Sequence, residues 1–254
     1  MAGGTVFNCA AYHNVDLCET EEATSFKVNV TAVKRMAQAC AAADVKLVHF
    51  STNYVFDGRR DEPYAEHDTP NPRSVYATSK LGGEYMALSY VPRALVVRGS
   101  GLYGLHGSGQ KGGNFITRVL QRAREGQQMR MVSDQRLQPT FTRDLAAAVI
   151  EGVDKEATGV VHLTAGGACS WLEFTEAIFE LAGIDVPIED VTTSGPVDRP
   201  LNGVLARPRA DSLGLTPLRG WRDALEDYMQ SAGELSETAG SHRGAAPDAH
   251  LRSG

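Results

Sequence analysis

Short apolar runs alternate with longer stretches in which apolar residues recur every three or four positions. That alternation restricts the chain to βαβ units and a parallel sheet. The run Thr5-Val6-Phe7-Asn8-Cys9-Ala10-Ala11 reads as a buried strand. A helical pattern follows from Glu21 to Ala43, carried by Ala23, Phe26, Val30, Val33, Ala37 and Cys40. Lys46–Phe50 reads as a second strand, Ser74–Tyr90 as a helix and Ala94–Arg98 as a third strand. With 254 residues, 42% of them hydrophobic, there is material for one core with a smaller lobe attached.

Past Gly99 the rhythm loosens. A glycine-rich loop, Gly104 to Gly113, leads into a helix near Asn114–Glu125, then the apolar run Met129–Val132. Phe141–Gly152 reads as helix and Val160–Leu163 as strand. Ser170–Ala182 reads as a helix whose serine cap and Glu173 make a capping box. Residues 196–217 are irregular, Trp221–Gln230 closes as a short helix, and 231–254 is small and polar enough to read as a disordered tail.

The totals exclude several classes. A net charge of −6 without a basic stripe argues against nucleic acid, and Arg118, Arg122 and Arg124 read as a solvated helix face. Cys9, Cys18, Cys40 and Cys169 are scattered, with no CxxC spacing and no histidine cluster. Neither a metal site nor a disulfide framework is expected, and reduced thiols fit a cytoplasmic protein. The first residues lack the pattern of a signal peptide, and no apolar run reaches bilayer length.

The chemistry concentrates in Phe50-Ser51-Thr52-Asn53-Tyr54-Val55-Phe56-Asp57-Gly58 and Ser74-Val75-Tyr76-Ala77-Thr78-Ser79-Lys80. The first piece lies just past the carboxyl end of a strand, where open α/β sheets bind ligands. In the second, Tyr76 and Lys80 are four apart on a helix and share a face. An ammonium beside a phenol is expected to lower its pKa, making Tyr76 a general acid for a carbonyl under reduction. Thr52 would hydrogen-bond the same oxygen, and a nicotinamide must supply the hydride. Other features read as ordinary structure: His49 as a packed core residue, Asp57 and Glu66 as solvated loop carboxylates. The loop 104–113 reads equally well as a phosphate cradle or as a plain flexible connection.

An ordered series of motifs carries a resemblance. It comprises Asn8-Cys9-Ala10-Ala11-Tyr12-His13-Asn14-Val15-Asp16, Ser51-Thr52-Asn53-Tyr54-Val55-Phe56-Asp57-Gly58 and Tyr76-Ala77-Thr78-Ser79-Lys80-Leu81-Gly82-Gly83-Glu84. Gly112-Gly113-Asn114-Phe115, the segment from Asp134 to Thr140, and Arg199-Pro200 continue it. From Val6 to about Tyr228 the chain resembles the dTDP-4-dehydrorhamnose reductase family of extended short-chain dehydrogenases/reductases. The resemblance implies Thr52, Tyr76 and Lys80 as catalytic residues. It implies Ala11, Tyr12, His13, Phe50, Tyr76 and Lys80 as contacts to NADPH or NADH, and Thr52, Asn53 and Asn114 as contacts to a nucleotide-linked keto sugar. Three positions depart from the family's pattern: Asn53 replaces an aspartate, Leu137 a turn glycine, and Gly101 an aromatic residue that some members set against the sugar.

The implied fold is a Rossmann-like doubly wound parallel sheet with a small C-terminal substrate-binding lobe. Residues 1–110 would form a partial dinucleotide-binding domain, 111–230 mainly the substrate lobe with some returning sheet elements, and 231–254 the tail. No glycine-rich phosphate turn precedes Thr5, so the first βαβ unit is expected to be missing. Such a chain is expected to bind NADPH weakly and to be inactive by itself. Oligomeric state stays open, with a homodimer among the options. The implied activity is reduction of the C4 keto group of a dTDP-linked 6-deoxyhexulose, as in dTDP-L-rhamnose biosynthesis. The alternative is a non-catalytic regulatory subunit of the same fold, like that of methionine adenosyltransferase.

Overall fold

Lys46–Thr52 (β2) is buried along most of its length, the mark of an interior strand in a parallel sheet. In the computed structural model, which describes residues 3–107 and 113–236, β2 lies between Thr5–Asn8 (β1) and Leu95–Gly99 (β3). Gly159–His162 (β8) completes the order β1-β2-β3-β8, all parallel. Strand β1 stops at Asn8 rather than Ala11 because the Asn8 side chain accepts the Ala10 amide and closes a turn. The exposed Phe7 lies on that strand.

Helices cover both faces. On one lie the segment Glu22–Ala42 and α4 (Val75–Tyr90), burying Val33, Ala37, Leu47, Ala87 and Val96 together. On the other, α6 (Thr142–Asp154) and α8 (Pro208–Ser212) pack on Val48, Leu95, Val97 and Val161. The sheet is therefore doubly wound. The 22–42 segment is α2 (Glu22–Phe26), a π-helical stretch at Lys27–Ala32 and α3 (Val33–Ala42), where the periodicity predicts one uninterrupted helix. A further short helix, α1 (Val15–Thr20), is capped by Asn14.

The second lobe packs α5 (Phe115–Arg124), α7 (Trp171–Ala182) and α9 (Trp221–Ser231) around Tyr103, Ile116, Phe174, Ile178 and Tyr228. The capping box at Ser170 and Glu173 forms as the sequence predicts. Met129–Val132 (β5) pairs in parallel with Ile188–Val191 (β10), a strand the hydrophobic pattern does not announce. Ser231 still belongs to α9, and the Ser236 amide donates to the Leu181 carbonyl, so the expected tail does not begin at 231. Residues 237–254, the rest of that tail, lie outside the described residues. No helix among the described residues is long and apolar enough to cross a membrane.

Helix α4 sets the geometry of the site, and two adjacent glycines, Gly82 and Gly83, sit in its middle. Each costs roughly 1 kcal/mol of helix propensity relative to alanine. The compensation is close approach: a Cβ on Gly83 would collide with the Asn29 carbonyl oxygen in the π-helical stretch. Gly83→Ala is expected to destabilise the fold by about 1–3 kcal/mol in urea titration, as overpacking does elsewhere. Unchanged stability would show that this approach is not tight.

Candidate active site

Strand alternation sends Phe50 and Thr52 to one side of β2 and His49 and Ser51 to the other. Helix α4 begins at Ser74, whose hydroxyl caps the Ala77 amide, and its first turns lie over the carboxyl end of β2. Lys80 is 3% exposed and its Nζ donates to the Phe50 carbonyl oxygen at 2.6 Å. Thr52 ends the strand and caps the next turn, its Oγ1 accepting from the Tyr54 amide. The Tyr76 ring meets Tyr54 edge-on, with centroids 5.9 Å apart. Thr52, Tyr76 and Lys80 thus converge on one wall of a cleft of about 770 Å³.

The electrostatics differ from the expectation in one respect. Burial pushes the Tyr76 phenol up to about 12, while its hydrogen bond with Thr52 pulls it down. Lys80 does not lower it, because the ammonium is directed at the Phe50 carbonyl instead. Burial brings Lys80 itself down to about 8, against the upward pull of Glu84. Near neutral pH the phenol therefore keeps its proton and the amine stays mostly charged. That pair of states suits proton donation to a carbonyl oxygen.

Ala11, His13, Phe50, Asn53 and Asn114 also line the cleft. Tyr12 does not: its hydroxyl donates to Glu21, and its backbone N–H and C=O are both held by the Asn29 side chain. Asn53 Nδ2 donates to the Gly203 carbonyl and Asn53 Oδ1 accepts from Thr52. Asn114 caps α5 and donates to the Gly104 carbonyl and to Tyr228 Oη. Its amide N–H groups are thus engaged within the protein.

Sequence reasoning missed Asn29, which is fully buried in the π-helical stretch and also donates to Ser79 Oγ on α4. It ties the 9–14 loop to the helix bearing Tyr76. A polar residue on the apolar stripe of Phe26, Val33 and Ala37 is the signal that could have found it. Arg118 was read as part of a solvated face, yet it lines the cleft with Arg136 and Arg199, while Arg122 and Arg124 point to Gln127 and Glu234. Among the described lining residues Lys80, Arg118, Arg136 and Arg199 face one carboxylate, Asp16, so the cleft favours an anionic ligand. No three His, Cys, Asp or Glu side chains among the described residues gather as metal ligands.

Two departures from the family pattern meet each other. Leu137 lies in an extended pairing with Cys169, so it carries no left-handed strain. Gly101 has φ +55°, and a Cβ there would lie 2.8 Å from Leu137 Cδ1. Leu137 thus fills the space a side chain at 101 would need. Asp57 and Glu66, expected to be solvated, are hydrogen-bonded instead. Asp57 accepts from Tyr64, Asn71 and the Arg59 amide, and Glu66 from the His162 amide. Of the loop expected as a phosphate cradle, 108–112 lie outside the described residues. His49 is packed at 0% exposure against Asn8, as the sequence reading held.

A doubly wound parallel sheet with a tyrosine–lysine helix over its carboxyl edge defines a Rossmann-like protein of the short-chain dehydrogenase/reductase type. The match to known proteins is narrower. The model of the RmlD substrate binding domain family covers residues 2–233. The chain is 38% identical to the dTDP-4-dehydrorhamnose reductase of Mycolicibacterium smegmatis, over 89% of this chain and 70% of that protein. It is 37% identical to the spore coat polysaccharide biosynthesis protein SpsK of Bacillus subtilis, over 89% and 78%. Among solved structures, the Bacillus anthracis dTDP-4-dehydrorhamnose reductase in complex with NADP superposes with a TM-score of 0.85 at 30% identity, covering 89% of this chain and 80% of that one. The chain belongs to the RmlD substrate binding domain family, that of the dTDP-4-dehydrorhamnose reductases.

Two buried imidazoles give the fold an acid limit. Burial lowers His49 to about 3 and His162 to about 4, below the ordinary 6.5. A base with a depressed folded-state pKa contributes its full stability above 6.5 and loses it as pH falls toward the folded value. Each histidine costs about 1.4 kcal/mol per pH unit across that window. The urea midpoint is expected to fall between pH 7 and pH 5, and less steeply in His49→Gln. Identical slopes in both proteins would contradict this reading of His49.

Proposed function

We propose that the protein reduces the C4 keto group of a dTDP-linked 6-deoxyhexulose with NADPH or NADH, the reaction type of dTDP-L-rhamnose biosynthesis. The observation that carries the proposal is the convergence of Thr52, Tyr76 and Lys80 in a cation-lined cleft at the carboxyl edge of the sheet. We assign the half up to about residue 110 to the cofactor and the lobe from 111 to 230 mainly to the substrate, with β8 returning to the sheet. A cytoplasmic location fits four cysteines, Cys9, Cys18, Cys40 and Cys169, that stand outside any disulfide.

The cleft fits the nicotinamide half of a dinucleotide on this chain's own features. The small side chains of Ala10 and Ala11 line it, with His13 and Phe50 beside them and Lys80 below. Those residues, with Tyr76, would hold the nicotinamide end, and the nicotinamide supplies the hydride when bound. Tyr76, protonated at neutral pH, gives its proton to the carbonyl oxygen of the sugar. The Thr52 hydroxyl donates to that same oxygen as negative charge develops there. The Lys80 ammonium, fixed by the Phe50 carbonyl, keeps a positive charge on the wall beside the nicotinamide end. Arg118, Arg136 and Arg199 supply the positive charge that the substrate's diphosphate requires.

Tyr76→Phe in the full-length protein removes the proton donor and little else. It is expected to lower kcat for keto-sugar-dependent NADPH oxidation by about 10²–10⁴-fold, with the melting temperature close to wild type. Turnover near the wild-type rate would remove Tyr76 from the mechanism.

A further inference from the structure

Beneath α4 the sheet carries a row of buried polar side chains where an apolar layer would be the ordinary choice. Ser51 on β2, Arg98 on β3 and His162 on β8 are register partners at the carboxyl ends of adjacent strands. One helical side chain answers two of them. Ser51 Oγ donates to Glu84 Oε1 at 2.5 Å, and Arg98 donates to Glu84 through Nε at 2.9 Å and Nη2 at 2.7 Å. The Arg98–Glu84 pair is 4% and 2% exposed, and the guanidinium also lies 5.1 Å from the centre of the Phe56 ring. Glu84 lies one helical turn past Lys80 and two past Tyr76, on the same stripe of α4.

We propose that Glu84 is a positioning residue for the reduction: through Ser51 and Arg98 it fixes the register of α4 on the strand that ends at Thr52, and its charge anchors the Lys80 ammonium. The proposal rests on the functional reading above. Thr52 reaches the cleft from β2, whereas Tyr76 and Lys80 reach it from α4, so their relative placement depends on how helix and strand are joined. The joint beside the site consists of the Glu84 contacts and the bond from Lys80 to Phe50. The charged and titratable groups around Lys80 are Tyr76 and Glu84 on its own helix, His49 on β2 and, through Glu84, Arg98 on β3. His49 and His162 are held neutral by burial, which leaves Glu84 as the counter-charge that keeps Lys80 protonated.

A structural role and a positioning role separate in the paired replacement of Glu84 and Arg98 by methionine in the full-length protein. Swapping a buried ion pair for apolar side chains of similar volume is commonly neutral or stabilising. This variant is therefore expected to melt at or above the wild-type temperature. Positioning predicts a kcat reduced at least about 10-fold and a smaller change in the KM for NADPH, since the reacting geometry is lost while most of the cleft's lining stays in place. Glu84→Gln, which removes only the carboxylate charge, is predicted to move the Lys80 titration, followed by carbon-13 NMR of Cε, from about 8 to lower pH. A folded double variant with wild-type kcat overturns the proposal, as does a Lys80 midpoint that stays in place in Glu84→Gln. The same single variant gives the kcat readout if the double variant does not fold. If wild type itself turns over no keto sugar, the functional reading fails, while the Lys80 titration still decides whether Glu84 anchors the ammonium.

Discussion

A single buried ammonium organises this molecule. Lys80 Nζ donates to the Phe50 carbonyl oxygen, binding α4 to the strand whose next residues include Thr52. Removing an ammonium from water costs several kcal/mol unless hydrogen bonds and a counter-charge offset it. The chain offsets it with that carbonyl and with Glu84 one turn away. Two other features hold α4 close to the neighbouring 22–42 helical segment. Gly83 removes the side chain that would strike the Asn29 carbonyl. The π-helical stretch carries Asn29 inward, where its amide reaches both the Tyr12 backbone and Ser79.

At its carboxyl end the sheet is polar under α4, through Ser51, Arg98 and His162, whereas further back Leu47 and Val96 pack against Ala87 of the same helix. Val48, Leu95, Val97 and Val161 close the opposite face with aliphatic packing alone. A buried ion pair contributes little net stability compared with such packing, but it admits few alternative registers. A helix that holds Tyr76 and Lys80 on the same cleft wall as Thr52 gains from that restriction. The second lobe then supplies aromatic rings, including Phe115 and Trp171 with centroids 4.5 Å apart, and much of the cleft's positive charge.

Much of this was legible in the sequence, for reasons that can be named. The strands at Lys46 and Leu95 are short apolar runs, and Tyr76 and Lys80 share a face by simple helical spacing. The Ser170–Glu173 capping box is a local motif and formed as read. What stayed hidden depends on contacts distant in sequence. Ile188–Val191 alternates weakly and becomes a strand only by pairing with Met129–Val132. Tyr12 sits within a cofactor-like motif, yet its ring leaves the cleft because Asn29 captures its backbone. Leu137 stands where the family has a turn glycine, but an extended pairing with Cys169 accommodates it, with Gly101 making the room.

The central claim is that this cleft delivers a hydride to C4 of a nucleotide-linked keto sugar while Tyr76 delivers the proton. Isotope transfer tests it directly. The full-length protein would be incubated with a dTDP-4-keto-6-deoxyhexulose and NADPH deuterated at the transferable position of the nicotinamide. The account predicts a dTDP-deoxyhexose carrying deuterium on C4, in one configuration and in step with cofactor oxidation. A product without deuterium at C4, or cofactor oxidised with the keto sugar unchanged, would contradict it.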